Sequence, residues 1–338
     1  MSTEKKPEQD ELIHIGPEMA VAEADVHPGE AGAFVRGTSL WRDAWRRLLK
    51  NKLAVFGMVV VIMVTIASII GPTVIEKIFG FTPDYIPAQD ERLTKSFPPF
   101  TGPDGKFSYL HPMGTDNAGR DVMARVLQGG QISLFVGILS TVVSLLIGVS
   151  YGAIAGYVGG RVDDVMMRVV DVLYSLPYII LVIVLLSLFR SQTPRGQLTL
   201  LFIAIGSVSW LTMARIVRGQ ILSLKNQEFV LAARATGVSA SRIIFRHLVP
   251  NTLGPVIVYA TLTVPQIMLT EAFLSFLGFG VQPPLSSWGT LAADGITNIA
   301  IFPWQLIFPG VTMALTLFSL NFLGDGLRDA LDPQMRTV

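Results

Sequence analysis

The chain has 338 residues, with 26 Lys and Arg against 25 Asp and Glu, and only 15% of it is charged, against roughly 25% in an ordinary soluble domain. A formal net charge of +1 and no basic block beyond a short N-terminal stretch leave no electrostatic footprint for nucleic acid. There is no cysteine, which excludes disulfides, thiol catalysis and cysteine metal sites, and His14, His27, His111 and His247 lie too far apart for zinc-ligand spacing.

Residues 1–37 are polar and carry no apolar run, so they are expected to form a disordered cytoplasmic tail. No apolar stretch follows the early lysines as a signal peptide would require. Residues 38–52 place Trp41, Trp45 and Leu48/Leu49 on one helical face with arginines opposite. This pattern predicts an interfacial helix on the inner leaflet, the alternative being a helix packed on the protein body.

Six apolar runs follow, at about 53–70, 132–157, 172–189, 198–216, 253–274 and 304–323. Each is near the ~20 residues that cross a hydrocarbon core, and lipid forces such runs into helices because unpaired backbone groups are so costly there. The first span is placed at 53–71, an extracytoplasmic loop with a short helix at 72–131, the core of the protein at 132–330, and a cytoplasmic C-terminal tail at 331–338. The short helix, at 115–128, is expected to be capped by Thr115 or Asp116, and to be either an interface helix or a contact for a docking protein. The fifth run contains Pro265 and trails into glycines, so a kink or break is expected there. Arg42, Arg46, Arg47, Lys50 and Lys52 precede the first run, and Arg218, Lys225, Arg234, Arg242 and Arg246 fill the connection between the fourth and fifth. Residues 270–303 contain no Lys or Arg. This asymmetry predicts an even number of spans with both termini in the cytoplasm.

The connection at 218–251 reads helix, turn, helix. Glu228 to Thr236 favours a helix, Gly237 stops it, Ser239 or Ser241 can cap the next, and Pro250 is expected to end that one. Ala232, Ala233 and Ala235 would allow close approach by a partner, and Arg234, Arg242 and Arg246 could meet acidic groups. Asp164, Arg168 and Asp171 share one face after the Gly159-Gly160 turn and are expected to form an ion-pair stripe. Glu271 is ionisable and near membrane depth, so it is either functional or half solvated at the outer end of the fifth helix. Phe273, Phe276 and Phe279 recur every third residue beyond the Pro265 bend, as an external gate or as a lipid-facing edge. The single Gly-Lys pair, Gly105-Lys106, has Phe100 where a phosphate-cradling loop needs its first glycine, so the sequence carries no such loop.

The run Glu228-Phe229-Val230-x-Ala232-Ala233-Arg234-Ala235-x-Gly237-x-Ser239-x-x-Arg242-Ile243-Ile244-x-Arg246-His247-x-x-Pro250-Asn251 resembles the EAA loop of binding-protein-dependent ABC importer permeases of the peptide type. Ser39 to Ala44, Gly114-Thr115-Asp116-x-x-Gly119-Arg120-Asp121, Gly159 to Arg168, Glu271 to Gly278 and Gly324 to Pro333 resemble the same group, and the likeness, which spans Thr38 to Pro333, is closest to the oligopeptide permease C (OppC) subfamily. The resemblance implies an all-α membrane protein of the type I ABC importer permease kind, with about six transmembrane helices, in the bacterial inner membrane. It also implies a second permease (OppB-like), two ATPase subunits (OppD/OppF-like) that bind ATP and Mg in this chain's place, and an extracytoplasmic peptide-binding protein (OppA-like). Carried over residue by residue, Glu228, Ala232, Ala233, Arg234, Gly237, Ser239 and Arg242 would dock the ATPase. Asp116, Arg120 and Asp121 are the candidates for binding-protein contact, and Pro265, Glu271, Phe273, Phe276 and Phe279 for the gate. The chain departs from the general pattern at Leu231, where an acid is usual, and at His247-Leu248-Val249-Pro250. Alternatives are a permease for another solute of the subfamily, such as a dipeptide, nickel or glutathione, and an ion-coupled secondary transporter. The last would need mid-helix ionisable groups and matched broken helices.

Overall fold

The computed structural model describes residues 40–80, 82–86, 96–102 and 104–332. The expected N-terminal tail and residues 333–338 of the C-terminal tail lie outside them. Among the described residues the backbone is helical apart from turns, loops and two isolated bridges, Thr101 with Phe107 and Thr115 with Asp121. In chain order the helices are α1 (Leu40–Lys50), α2 (Lys52–Phe79), α3 (Val122–Val158), α4 (Gly160–Ser175), α5 (Tyr178–Leu188), α6 (Pro194–Leu224) and α7 (Glu228–Ala235). They continue with α8 (Ala240–Phe276), α9 (Trp288–Thr297) and α10 (Trp304–Leu331). Five of these, α2, α3, α6, α8 and α10, are long and apolar enough to cross a membrane, and α4 with α5, bent by 83° at their junction, make a sixth candidate crossing.

That bend is a correction to the expected straight span at 172–189. Leu176 is extended (φ −83°, ψ 135°) because Pro177 follows it and disfavours the helical conformation. With 11 residues, α5 is only about 16 Å long, too short to cross a hydrocarbon core of about 30 Å by itself. The break expected at Pro265 does not occur. Helix α8 runs through both Pro255 and Pro265, and Pro265 is buried, so neighbouring helices enclose the ladder where this second proline lacks a donor. Pro250 does not end a helix either. The turn before it, Ile243–Leu248, is wound as a π-helix, which resets the hydrogen-bond register and lets the chain pass into the span. At the other end of the bundle the short helix expected at 115–128 is not separate. It is the first part of α3, and its cap is Asp121, whose carboxylate accepts from the Ala124 amide at 2.7 Å. Likewise α2 passes its expected end at 71 and continues through Pro72 to Phe79.

The most extensive helix pairing is α3 with α6, and its cause is legible in three glycines four residues apart. A Cβ on Gly148 would lie 2.6 Å from that of Met213, one on Gly152 would meet the Ala214 carbonyl oxygen, and one on Gly156 would lie 3.0 Å from the Arg218 carbonyl oxygen. Small residues at this spacing let two helix backbones approach, which is how helices associate where lipid supplies no hydrophobic drive. Val136, Leu201, Ile205 and Ile267 bury the apolar centre of α3, α6 and α8. Along α2, by contrast, Leu53, Phe56, Ile62, Met63, Ile66 and Ile69 are exposed, an apolar flank that water would penalise and lipid accepts. Helix α1 sits between the two sequence readings. Ala44 and Leu48 pack into a cluster with Ala54 and Ala330, while Trp45 and Leu49 stay exposed.

Candidate coupling and translocation surfaces

Helix α7 and the start of α8 form an elbow whose root is Val230. This residue is fully buried in a cluster with Met213, Val217 and Ile221 of α6 and Ile243, Ile244 and Leu248 of α8. Gly237 has φ +76°, and the turn is closed by the Val238 amide donating to the Ala233 carbonyl at 3.1 Å and the Gly237 amide to the Arg234 carbonyl at 3.0 Å. A left-handed residue is what such a helix stop requires. With the root held inside, Glu228, Ala232, Gly237, Ser239 and Arg242 are all exposed, joined by the apolar Phe229, Leu231 and Phe245, while Ala233 is half-buried. The Arg234 guanidinium lies over the Tyr157 ring, 5.0 Å from its centroid, and so leans on the end of α3. Ser239 takes the cap position of α8, but its side chain makes no cap bond.

The elbow is tied to the rest of the bundle by cations of α6. Arg218 grips Asp163 with two hydrogen bonds of 2.5 and 2.6 Å, Arg215 pairs with Asp171 at 2.8 Å, and the Lys225 ammonium donates to the Gly156 carbonyl at 2.9 Å. The ion-pair stripe expected along α4 is therefore wrong in its partners. Asp171 reaches across to α6, the adjacent Asp163 does the same, and Arg168 has no ion pair among the described residues. Four-residue spacing allows a pair on one helix, but Arg215 on the next helix reaches Asp171 with a single hydrogen bond of 2.8 Å.

At the opposite end of the bundle, Glu271 is not half solvated. It is 1% exposed and accepts hydrogen bonds from Ser133 of α3 at 3.2 Å and Ser275 at 2.7 Å. Ser133 also accepts from the Trp288 amide at 3.2 Å, and the wholly buried Trp288 indole donates to the Val126 carbonyl at 2.8 Å. Glu271 thus sits in a polar knot joining α3, α8 and α9. The three phenylalanines do not form one edge: Phe273 and Phe276 are exposed, whereas Phe279, beyond the helix end, is half-buried against the apolar centre.

Asp116, Arg120 and Asp121 come together, but two of them serve the loop that holds them. Asp116 is buried and receives Arg120 and Arg125, each at 2.7 Å, as well as the amides of Ala118 and Arg120. Asp121 caps α3 and contacts His111 at 2.8 Å. Their carboxylates face inward, toward the loop and the start of α3. Gln305 and Trp304 of α10 both donate to the Thr115 carbonyl, at 3.2 and 3.1 Å, which fastens the loop to the bundle.

Midway along the bundle, a cleft of about 500 Å³ opens at the α4–α5 bend, between it and the middles of α6 and α8. Sequence reasoning missed it, because the bend that creates it was read as a straight span. The signal was present in Ser175-Leu176-Pro177, a dipeptide stop inside an apolar run. Among the described residues no group of three or more His, Asp or Glu could hold a metal ion.

Residues 148–337 match the family of binding-protein-dependent transport system inner membrane components, and residues 39–99 match the N-terminal transmembrane domain of oligopeptide transport permease C. The chain is 47% identical over 302 residues to the oligopeptide transport system permease protein OppC of Haemophilus influenzae, covering 89% of this chain and 91% of that protein. It is 43% identical over 301 residues to OppC of Bacillus subtilis, covering 89% and 92%. Among solved structures, an inward-facing form of the MetNI methionine ABC transporter superposes with a TM-score of 0.51 at 17% identity, over 62% of this chain and 98% of that one, a likeness of fold. The elbow, the long crossing helices and these matches agree: the chain is a multi-pass membrane protein that belongs to the oligopeptide permease C branch of the binding-protein-dependent transport inner-membrane components, a permease subunit of an ABC importer.

Proposed function

We propose that this chain forms, with a second permease of similar size, the translocation pathway for oligopeptides handed over by an extracytoplasmic peptide-binding protein. Two ATPase subunits hold the ATP and Mg and seat on the α7–α8 elbow. The observation that carries this reading is the elbow itself. It exposes Ala232, Gly237, Ser239 and Arg242 while its Val230 root is locked into α6 and α8, so a push on the exposed face is delivered to two crossing helices at once. Both termini then lie in the cytoplasm, α1 rests at the inner leaflet with Trp45 and Leu49 outward, and the loop at 96–121 faces the binding protein, with Arg120 at the contact and Asp116 and Asp121 shaping it. Phe273 and Phe276 line the external gate, which Glu271 supports from behind.

The test is purification of the tagged chain in mild detergent, followed by mass measurement of the intact complex. The expected composition is one copy of this chain, one different permease and two ATPase subunits, and proteoliposomes holding it should accumulate tetra-alanine when binding protein and ATP are supplied. A functional assembly with two copies of this chain and no other permease would refute the reading.

A further inference from the structure

We infer that the cleft at the α4–α5 bend is a membrane-level binding site for the peptide main chain of the cargo; this deepens the reading just given and rests on it. The cleft lies midway along a crossing helix, since Ser209 is the central residue of α6 (Pro194–Leu224). Its volume, about 500 Å³, is within the range of roughly 300–1,000 Å³ typical of ligand sites. Its lining contains no Asp, Glu, Lys, Arg or His. What it does contain is an unusual density of neutral hydrogen-bonding groups for a bilayer interior, where each must find a partner. They include Tyr174, Tyr178, Ser209, Thr212, Tyr259 and Gln266.

These groups are held in place by one another. The Tyr174 and Thr212 hydroxyls are 2.5 Å apart, Tyr178 interacts with Ser209 and Thr270, and Tyr259 with Thr212 and Thr263. The Ser209, Thr263 and Thr270 hydroxyls donate to carbonyls one turn back on their own helices, at 2.8, 2.8 and 2.9 Å, so their oxygens offer acceptor lone pairs to the cleft. The Gln266 side chain is exposed and makes no hydrogen bond among the described residues. A side-chain amide offers the donor and acceptor that a peptide bond offers, and the two pair readily. Apolar walls from Leu173, Val208 and Ile267 can accept side chains of many shapes. A site without charge neither favours nor rejects a charged cargo side chain by ion pairing, and neutral donors and acceptors at fixed positions suit the one feature that all peptides share. Just beyond the cleft, the Arg215 guanidinium sits 4.1 Å over the Tyr174 ring and is neutralised by Asp171, so the cation next to the site is already paired.

The experiment uses the complete importer in proteoliposomes with Ser209→Cys in this chain, whose sequence has no other cysteine. N-ethylmaleimide labelling of the introduced thiol is followed by mass spectrometry, with ATP and binding protein present, with and without tetra-alanine. The site predicts labelling roughly tenfold slower during tetra-alanine turnover, and loss of that protection when Tyr178→Phe and Thr212→Val remove two of the hydroxyls, since each net hydrogen bond contributes several-fold in occupancy. The same double variant in the unmodified chain should move about tenfold fewer peptides per ATP hydrolysed. Equal labelling with and without tetra-alanine, whether fast or slowed throughout by a lipid chain lodged in the cleft, overturns the inference, as does protection that survives loss of the hydroxyls. If the importer carrying the wild-type chain does not accumulate tetra-alanine, the proposed function fails instead, which keeps the two failures apart.

Discussion

Gly237 allows the elbow to be tested with little steric ambiguity. Its φ is +76°, and a Cβ built on it would meet nothing within 4 Å. A substitution there is therefore opposed by backbone conformation alone. Holding an L-residue in the left-handed region costs about 1–2 kcal/mol, and a β-branched side chain is the worst case. Stiffening of the unfolded chain returns about 0.4–1 kcal/mol, so Gly237→Val should weaken the turn by up to about 1.5 kcal/mol. That is a factor of up to about 10 in the turn's closed population. Helix α7 should stay docked, because Val230 remains buried in its cluster, while the two closing bonds at Val238 and Gly237 open more often. Hydrogen exchange at amides 233–239 should quicken by that factor in detergent. In vesicles, ATP hydrolysis should lose its response to loaded binding protein although membrane insertion is intact. Gly237→Asn should fall between, since asparagine tolerates this conformation. A valine variant that matches wild type in both exchange and stimulation would remove the elbow from the coupling path.

Gly152→Leu should force α3 from α6, because its Cβ would meet the Ala214 carbonyl oxygen; an overpacking cost of about 1–3 kcal/mol should lower the thermal midpoint in detergent by several degrees. Gly219→Leu, where the added carbon meets nothing within 4 Å, should leave that midpoint close to wild type, and equal losses in the two variants would discredit the close-packed seam. At the knot of Glu271, Glu271→Gln keeps one acceptor oxygen and puts an N–H donor at the other position, which a rotated serine hydroxyl can accept, and should be mild. Glu271→Leu leaves hydroxyls buried without their partner, at about 1–3 kcal/mol for each unpaired group, and thermal unfolding of the two variants should separate accordingly. Phe276→Ala truncates a side chain that is 55% exposed, so stability should barely move, while a gate residue should raise solute leak and ATP hydrolysis without binding protein. Wild-type tightness in that variant would assign Phe276 to lipid.

The crossing helices were legible because their cause is local: long apolar runs in a chain with 15% charged residues have no other stable conformation in lipid. The elbow was legible because Gly237 and the cap positions around it are short-range signals. What the sequence hid is set by contacts between distant segments. Glu271 could be read as solvated because its partners, Ser133 and the segment leading into Trp288, are remote in the chain. Asp116 and Asp121 look like surface acids until Arg120, Arg125 and the α3 amides are brought to them. Pro265 and Pro177 have the same covalent constraint and opposite outcomes. The first is enclosed by neighbouring helices and stays in a continuous span, while the second lies at a junction where the chain can turn.

The same two helices that hold the elbow also wall the cleft, and this would link the proposed coupling surface to the proposed cargo site without any separate relay. On α6, Val217 and Ile221 pack around the elbow root and Ser209 and Thr212 face the cleft. The twelve helical steps from Ser209 to Ile221 span about 18 Å of rigid helix. On α8, Ile243, Ile244 and Leu248 hold the root, and Tyr259 to Thr270 line the cleft beyond the π turn. Along α6 the motion has no soft point, since the glycine seam and the Arg218–Asp163 grip bind it to α3 and α4. Along α8 it passes through Ile243–Leu248, where a wider helical turn can absorb a change in register. A displacement of the elbow would therefore move the α6 wall as a lever and let the α8 wall lag. The cleft would change its width at Ser209 and Tyr259 rather than travel as a unit, and a site that changes width can hold a peptide in one state and release it in the next.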